Sequence, residues 1–236
     1  MIEIEGLHVT FGGVSAVSNL TATLDAPVTG LIGPNGAGKT TLLNVLSGFV
    51  RPTQGTVKVD GVDILRIATY RRSAFGLRRT FQTEQVVLNL SIWDNVAAVL
   101  DHVPQGSGTR EEIIGETLAY VGLQDRAHRM GGELSANDRR MVEIARGIVG
   151  EPRLIMMDEP GAGLSEAEAE HLRRVIVGIP HHCGAQVLLV DHDVDLISQT
   201  CSATLVLDFG VKIAYGRTEE VLKDQAVRTA YLGEAA

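Results

Sequence analysis

Gly33-Pro34-Asn35-Gly36-Ala37-Gly38-Lys39-Thr40 is the stretch on which the reading of this chain turns. It fits the pattern G-x-x-x-x-G-K-[ST], with an apolar strand-like run, Val28 to Ile32, before it and a helical run, Lys39 to Ser47, ended by Gly48, after it. Glycines let the backbone curl until successive N–H groups point at one chain of phosphates, and the helix N-terminus adds its positive dipole. Lys39 would neutralise the β- and γ-phosphates there, and the Thr40 hydroxyl would ligate Mg²⁺. The competing reading, a glycine-rich turn with a chance lysine, leaves the strand before it and the helix after it as coincidences.

Such a loop needs a metal-holding carboxylate at the end of a neighbouring strand, and Leu154-Ile155-Met156-Met157-Asp158-Glu159 supplies one. Asp158 would hold Mg²⁺ through a water, and Glu159, just beyond the strand end, would orient or deprotonate a water attacking the γ-phosphate. Alone, Glu159 would read as an exposed acid before Pro160; beside Asp158 and the phosphate loop the functional reading is the stronger.

The rest of the 236 residues fits a globular α/β chain: 44% are hydrophobic, enough for a sizeable core. Twenty-one basic against 29 acidic side chains give a net charge of −8, which argues against a general grip on nucleic acid or anionic lipid. Arg71, Arg72, Arg78 and Arg79 are the local exception, read as a solvated or partner-facing turn. The first residues show no secretory signal, and no apolar run approaches the roughly 18 residues of a membrane span. Cys183 and Cys201 form no C-x-x-C pair, so a reduced, cytosolic setting is expected. His181-His182-Cys183 reads as an exposed loop after Pro180 rather than a metal site.

Three textures follow one another. Up to about Phe81 strands dominate: Ile2, Ile4, Leu7, Val9 and Phe11 are spaced by twos and threes, Leu20 to Leu24 alternates, and Thr56 to Val59 precedes an Asp60-Gly61 turn. From Ser91, an N-cap, to Gly150 the pattern is helical, with Glu111 to Val121 and a helix from Ser135. Strand and helix then alternate: Leu154 to Met157, a helix opened by the capping box Ser165-x-x-Glu168, Val187 to Val190, and Ala203 to Leu207. Such alternation implies a largely parallel sheet covered by helices.

With both phosphate motifs in place, the chain resembles an ABC-type ATPase subunit from Phe11 to Gly233. The resemblance implies an α/β P-loop NTPase with a mostly parallel sheet, an N-terminal antiparallel β subdomain and an inserted helical subdomain. It implies one domain over residues 1–236, with 83–150 as the helical subdomain carrying the signature motif. ATP and Mg²⁺ are the expected ligands. Gly33, Pro34, Asn35, Gly36, Ala37, Gly38, Lys39, Thr40 and Thr41 would hold the phosphates, with Thr40, Gln82 and Asp158 at the metal. Gln82 resembles the family's Q-loop glutamine, which senses Mg²⁺ and the attacking water, and His192 the switch histidine at the γ-phosphate. Lys39, Gln82, Glu159 and His192 thus form the implied catalytic set. Phe11, before Gly12-Gly13, stands where the family stacks an aromatic on adenine; the competing reading makes it a core residue continuing Leu7 and Val9. Gly161-Ala162-Gly163-Leu164-Ser165 occupies the D-loop position, with Ser165 where many relatives have Asp.

The family's L-S-G-G-Q signature, donated across a dimer to the other subunit's ATP, is here Leu134-Ser135-Ala136-Asn137-Asp138. Met141, Ile144, Ala145 and Ile148 still form one helix face, and Ser135 can cap that helix and aim it at the partner's ATP. Ala136 and Asn137 replace the glycines, and Asp138 adds negative charge near the expected phosphate. A heterodimer with a second, intact ABC ATPase subunit is the favoured expectation; a homodimer in which Asn137 preserves the loop through its tolerance of positive φ is the alternative. The family further implies separate transmembrane permease subunits, indirectly a substrate-binding protein, a place at the cytoplasmic face of the membrane, and no nucleic acid. Docking is expected around Gln82 to Leu90. The Gly76–Gln82 segment, the Gly-Ala-Gly-Leu after Pro160, Asp191-His192-Asp193-Val194 and Ala230-Tyr231-Leu232-Gly233 resemble the branched-chain amino-acid uptake branch, with urea or amide importers and the lipopolysaccharide-export ATPase similar. A soluble ABC protein of repair or translation would carry two cassettes, a long coiled coil or a basic surface, and a GTPase would carry N/T-K-x-D; none is present.

Overall fold

Along the first strand Ile2, Ile4, Leu7 and Val9 are all buried, and the step from a spacing of two to one of three is a bulge. Gly6 sits there at φ +55°, and the register with the next strand shifts between Ile4 and Leu7. In the computed structural model, which describes residues 1–83 and 85–232, the chain runs β1 (Ile2–Phe11), β2 (Val14–Leu24), β3 (Val28–Ile32), α1 (Lys39–Ser47), β4 (Gln54–Val59), β5 (Val62–Asp63), α2 (Thr69–Phe75) and β6 (Leu77–Arg79). It continues through α3 (Ile92–Leu100), α4 (Arg110–Tyr120), α5 (Ala136–Ile148), β7 (Leu154–Asp158), α6 (Glu166–Cys183), β8 (Gln186–Val190), α7 (Val194–Thr200), β9 (Ala203–Asp208), β10 (Val211–Arg217), α8 (Thr218–Val221) and α9 (Gln225–Val227). Glu84 and Gly233, which the sequence reading drew on, lie outside the described residues.

Two compact units result: Met1–Arg72 with the described residues from Leu188 on, and Ser73–Val187. In the first, β2-β1-β4-β5 form an antiparallel sheet, as the family resemblance implies. β3 is buried along its whole length and pairs in parallel with β9, and β10 closes antiparallel on β9. α1 buries Leu42, Leu43, Val45 and Leu46, each worth about 1.5–3 kcal/mol of transfer free energy. In the second unit β6 pairs in parallel with β7, and α3, α4 and α5 pack on one another as the helical texture predicts. Among the described residues no helix is long and apolar enough to cross a membrane.

Two expectations are corrected here. The arginine cluster is mostly not a solvated turn. Arg72 is buried and its Nη1 donates to the carbonyls of Val45 (2.5 Å), which also accepts from Gly48 N–H, and Leu46 (2.7 Å), in the last turn of α1. Arg78 is buried as well, with Nη1 3.3 Å from Ser73 Oγ, and burial pushes its guanidinium down to about 10. Only Arg71 is fully exposed. Nor is His181-His182-Cys183 a loop: α6 continues through Pro180 to Cys183, with Gly184 at its end. His182, in this last turn, stacks on Tyr120 at 4.0 Å between ring centroids, a contact between residues far apart in sequence. The described residues hold no group of three His, Cys, Asp or Glu side chains able to bind a metal ion.

Candidate functional site

The phosphate loop follows β3 in the first unit, as its sequence requires. Gly33 could not be another residue without displacing the sheet, because a Cβ there would lie 2.0 Å from the Leu207 carbonyl oxygen. Gly38 has φ +99°, and its Cβ would meet the Ala16 carbonyl at 2.4 Å. The loop therefore presents bare backbone. Lys39 Nζ bends over it, donating to the carbonyls of Gly33 (2.6 Å) and Pro34 (3.0 Å). Asn35, Gly36 and Thr40 are exposed, while Ala37 is buried and Thr41 partly so. A curled, glycine-rich backbone with an ammonium across it and a helix N-terminus below fits the phosphates of a nucleotide. Phe11 is 50% exposed, so it is not the core residue of the competing reading.

At the end of β8, in the same unit, Asp191 is buried and its Oδ1 accepts from Asp193 N–H at 3.0 Å. Asp193 Oδ1 in turn accepts from Asp195 and Leu196 and caps α7. This tight run of aspartates holds His192 out: its ring is 69% exposed, with Nδ1 3.7 Å from Asp191 Oδ1.

In the second unit Asp158 ends β7, and Arg79 Nη2 donates to its Oδ2 at 2.9 Å, both side chains being nearly buried. Glu159 follows at φ +50°, a left-handed conformation that costs a non-glycine residue on the order of 1–3 kcal/mol and persists only where neighbours enforce it. Arg140, from α5, donates to the Glu159 carbonyl at 3.1 Å, and Gln82 Nε2 donates to Glu159 Oε2 at 2.7 Å. The unit thus brings Gln82, Asp158 and Glu159 together. Sequence reasoning read Arg79 only as part of a solvated or partner-facing turn, which its burial against Asp158 overturns, and gave no role to Arg140. Arg79 meets Asp158 because β6 pairs in parallel with β7, Arg79 opposite Met156, a register that no local pattern announces.

Ser135 caps α5 as expected, its Oγ accepting from Asp138 N–H at 3.1 Å. The reading of Asp138 as a charge facing the phosphate is corrected. Its carboxylate is buried, and both oxygens accept from Arg126 Nη1 at 2.8 Å. Ser165 opens α6, with Glu168 Oε2 accepting from both its N–H (2.9 Å) and its Oγ (2.6 Å).

Comparison with known proteins agrees with this chemistry. The ABC transporter family matches residues 18–162, and residues 211–236 match a branched-chain amino acid ATP-binding cassette transporter family. The high-affinity branched-chain amino acid transport ATP-binding protein LivG of Salmonella typhimurium is 32% identical, covering 100% of this chain and 98% of that protein. The lipopolysaccharide export system ATP-binding protein LptB of Haemophilus influenzae is also 32% identical, covering 99% and 98%. The ADP conformation of MJ1267, an ATP-binding cassette of an ABC transporter, superposes with a TM-score of 0.86 at 28% identity over 99% of both chains. Curled loop, strand-end carboxylates and end-to-end similarity agree: this chain belongs to the ABC transporter family, as an ATP-binding, ATP-hydrolysing subunit of the kind that works with transmembrane permeases.

Proposed function

We propose that this subunit powers import of branched-chain or other hydrophobic amino acids, bound to permease subunits at the cytoplasmic face of the membrane and served indirectly by a substrate-binding protein. The similarity to LivG over the whole chain, joined by the match of residues 211–236 to the branched-chain family, is the observation that carries this reading. The equal identity of LptB supports a second reading, lipopolysaccharide export. Leucine uptake by vesicles containing the co-expressed permease, dependent on this chain and lost in Lys39→Ala, tests the first. Absent amino-acid uptake, with ATPase activity instead stimulated by a lipopolysaccharide-export permease, would favour the second.

The residue roles follow from their chemistry. Lys39 binds the β- and γ-phosphates, the N–H groups of Gly33 to Thr41 orient the phosphate chain, and Phe11 stacks on adenine. Mg²⁺, when bound, neutralises phosphate oxygens as charge develops on them. Thr40 and Gln82 would ligate it and Asp158 would hold one of its waters; Arg79 takes Oδ2 of Asp158 and leaves Oδ1 for that contact. Gln82 Nε2 donates to Oε2 of Glu159, and the Glu159 carboxylate accepts a proton from the attacking water. His192 reaches the γ-phosphate from its exposed position. Glu159→Gln keeps nucleotide binding and abolishes turnover in this reading; wild-type turnover in that variant refutes the assignment.

Residues 83–150 serve as the helical subdomain of a single ATPase domain, and the face from Gln82 to Leu90, where Val87 and Leu88 are exposed, docks on the permease. A heterodimer with a second ATPase subunit remains the favoured assembly. Its basis is now Ala136 and Asn137 alone, since Asp138 is neutralised within the chain.

A further inference from the structure

The turn between β9 and β10, Asp208-Phe209-Gly210, holds its aromatic residue against ordinary backbone preference. Phe209 has φ +43°, a region that residues other than Gly, Asn and Asp seldom enter, and its ring is 83% exposed, the highest of the exposed large apolar side chains described. The two-residue hairpin Phe209-Gly210, with positive φ at both positions, matches the twist of β9 and β10, but Asn, Asp or Gly would fill its first position at less cost, and Phe209 gains no burial there.

The place of the turn suggests what the ring serves. β3 and β9 run parallel with Ile32 opposite Val206, so Phe209 leaves the sheet at the carboxyl edge from which the phosphate loop springs. Gly210 N–H donates to the Ala37 carbonyl at 3.0 Å, inside that loop, and the Gly210 carbonyl accepts from Ser18 N–H at 2.8 Å. A Cβ on Gly210 would lie 2.7 Å from the Ala16 carbonyl oxygen. The turn is thereby fastened to the loop on one side and to β2 on the other. The β1–β2 hairpin presents Phe11, 50% exposed, and its cross-strand partner Val14, 70% exposed. Exposed aromatic rings from two separate hairpins thus flank one phosphate loop, and a flat heteroaromatic base attached to the bound phosphates is the occupant that suits them.

We propose that Phe209 is a second base-positioning residue of the nucleotide site, closing on the adenine from the β9–β10 turn while Phe11 stacks from the β1–β2 hairpin. The inference rests on the reading of Gly33–Thr41 as the cradle for the phosphates of ATP, and it is separable from the role of Phe11.

The experiment is calorimetric titration of the full chain with ATP and, in parallel, inorganic tripolyphosphate, for wild type, Phe209→Asn, Phe209→Tyr and Phe11→Ala. Asn tolerates positive φ, so Phe209→Asn folds with a Tm equal to or above that of the wild type. It is expected to weaken ATP binding about five- to tenfold, part of what a full base–aromatic stack contributes, and to leave tripolyphosphate binding unchanged. Phe209→Tyr, which keeps the ring, stays within about twofold of wild type. ATP affinity in Phe209→Asn within twofold of wild type overturns the proposal. So does a parallel loss of tripolyphosphate affinity, which would make the turn a mere brace of the loop, and so does unchanged ATP binding with failed assembly on the permease, which would assign the ring to a protein contact. An effect in Phe209→Asn with none in Phe11→Ala would refute the role of Phe11 and leave this proposal standing; wild-type chain that binds neither probe would refute the cradle and the proposal together.

Discussion

Removing Arg126 should expose how Asp138 is held at the head of α5. The Asp138 side chain is 8% exposed and that of Arg126 41%, and a single Nη1 donates to both carboxylate oxygens at 2.8 Å. Stripping one partner from a fully buried ion pair costs about 3–5 kcal/mol. Here water reaches the arginine, and the N-terminal dipole of α5 also favours Asp138 by a few tenths to about 1 kcal/mol, so about 2 kcal/mol is expected for Arg126→Ala. For a chain of this size that lowers Tm by about 4–8 °C. Asp138→Asn in the same chain should recover most of the loss, because the bond from Ser135 Oγ is to the backbone N–H and survives the change. Thermal and urea unfolding of the wild type, both single variants and the double variant measure the coupling as a cycle. A cost for Arg126→Ala below about 0.5 kcal/mol, or a double variant no more stable than Arg126→Ala, would refute the reasoning. In the proposed assembly activity offers a second readout, because a freed carboxylate beside the partner's phosphate would repel it, by a few kcal/mol for charges a few ångströms apart at an effective dielectric near 20. ATPase activity of the assembled transporter should therefore fall further in Arg126→Ala than in the double variant.

Gly33→Ala should destabilise the chain by about 1–3 kcal/mol, through the clash with Leu207, and clearly more than Gly36→Ala, whose Cβ would meet nothing within 4 Å; equal urea midpoints for the two would contradict this. Burial, aided by the nearby Asp191, pushes the Cys201 thiol up to about 12, and burial also raises Cys183. At pH 8 the native chain should then alkylate at Cys201 about three orders of magnitude more slowly than urea-unfolded chain, as read by mass spectrometry with a thiol reagent. Burial against Tyr120 lowers the His182 pKa, opposed by Glu116, so the folded chain binds this proton less readily than the unfolded chain. The resulting stability is present above the ordinary histidine value of about 6.5 and is lost as pH falls through it towards the folded value. His182→Phe, which keeps a stacked ring, should lose less Tm than the wild type between pH 7 and 5.5.

The sequence by itself determined whatever is written in local order. The phosphate loop, the bounds of α1 from Lys39 to Ser47, the Ser91 and Ser135 caps, the Ser165–Glu168 pair and the alternation of Leu20 to Leu24 are all set by residues within a few positions of one another. Backbone periods of 2 and 3.6 and short-range hydrogen bonds make such features legible in a single chain. Membership of the ABC family followed from the order of these motifs. Only the tertiary structure decided the fate of the charges. Arg79 pairs with Asp158 across 79 positions through a strand register, Gln82 reaches Glu159 across 77, and Arg126 turns Asp138 inward. Arg72 ends as a helix cap rather than a surface cation, and α6 runs on through Pro180 to Cys183 with His182 stacked on Tyr120. An ionised side chain in sequence is compatible with solvent, a partner or a buried mate; the choice depends on desolvation and on which group long-range packing brings within about 3 Å, and that distance is a property of the fold.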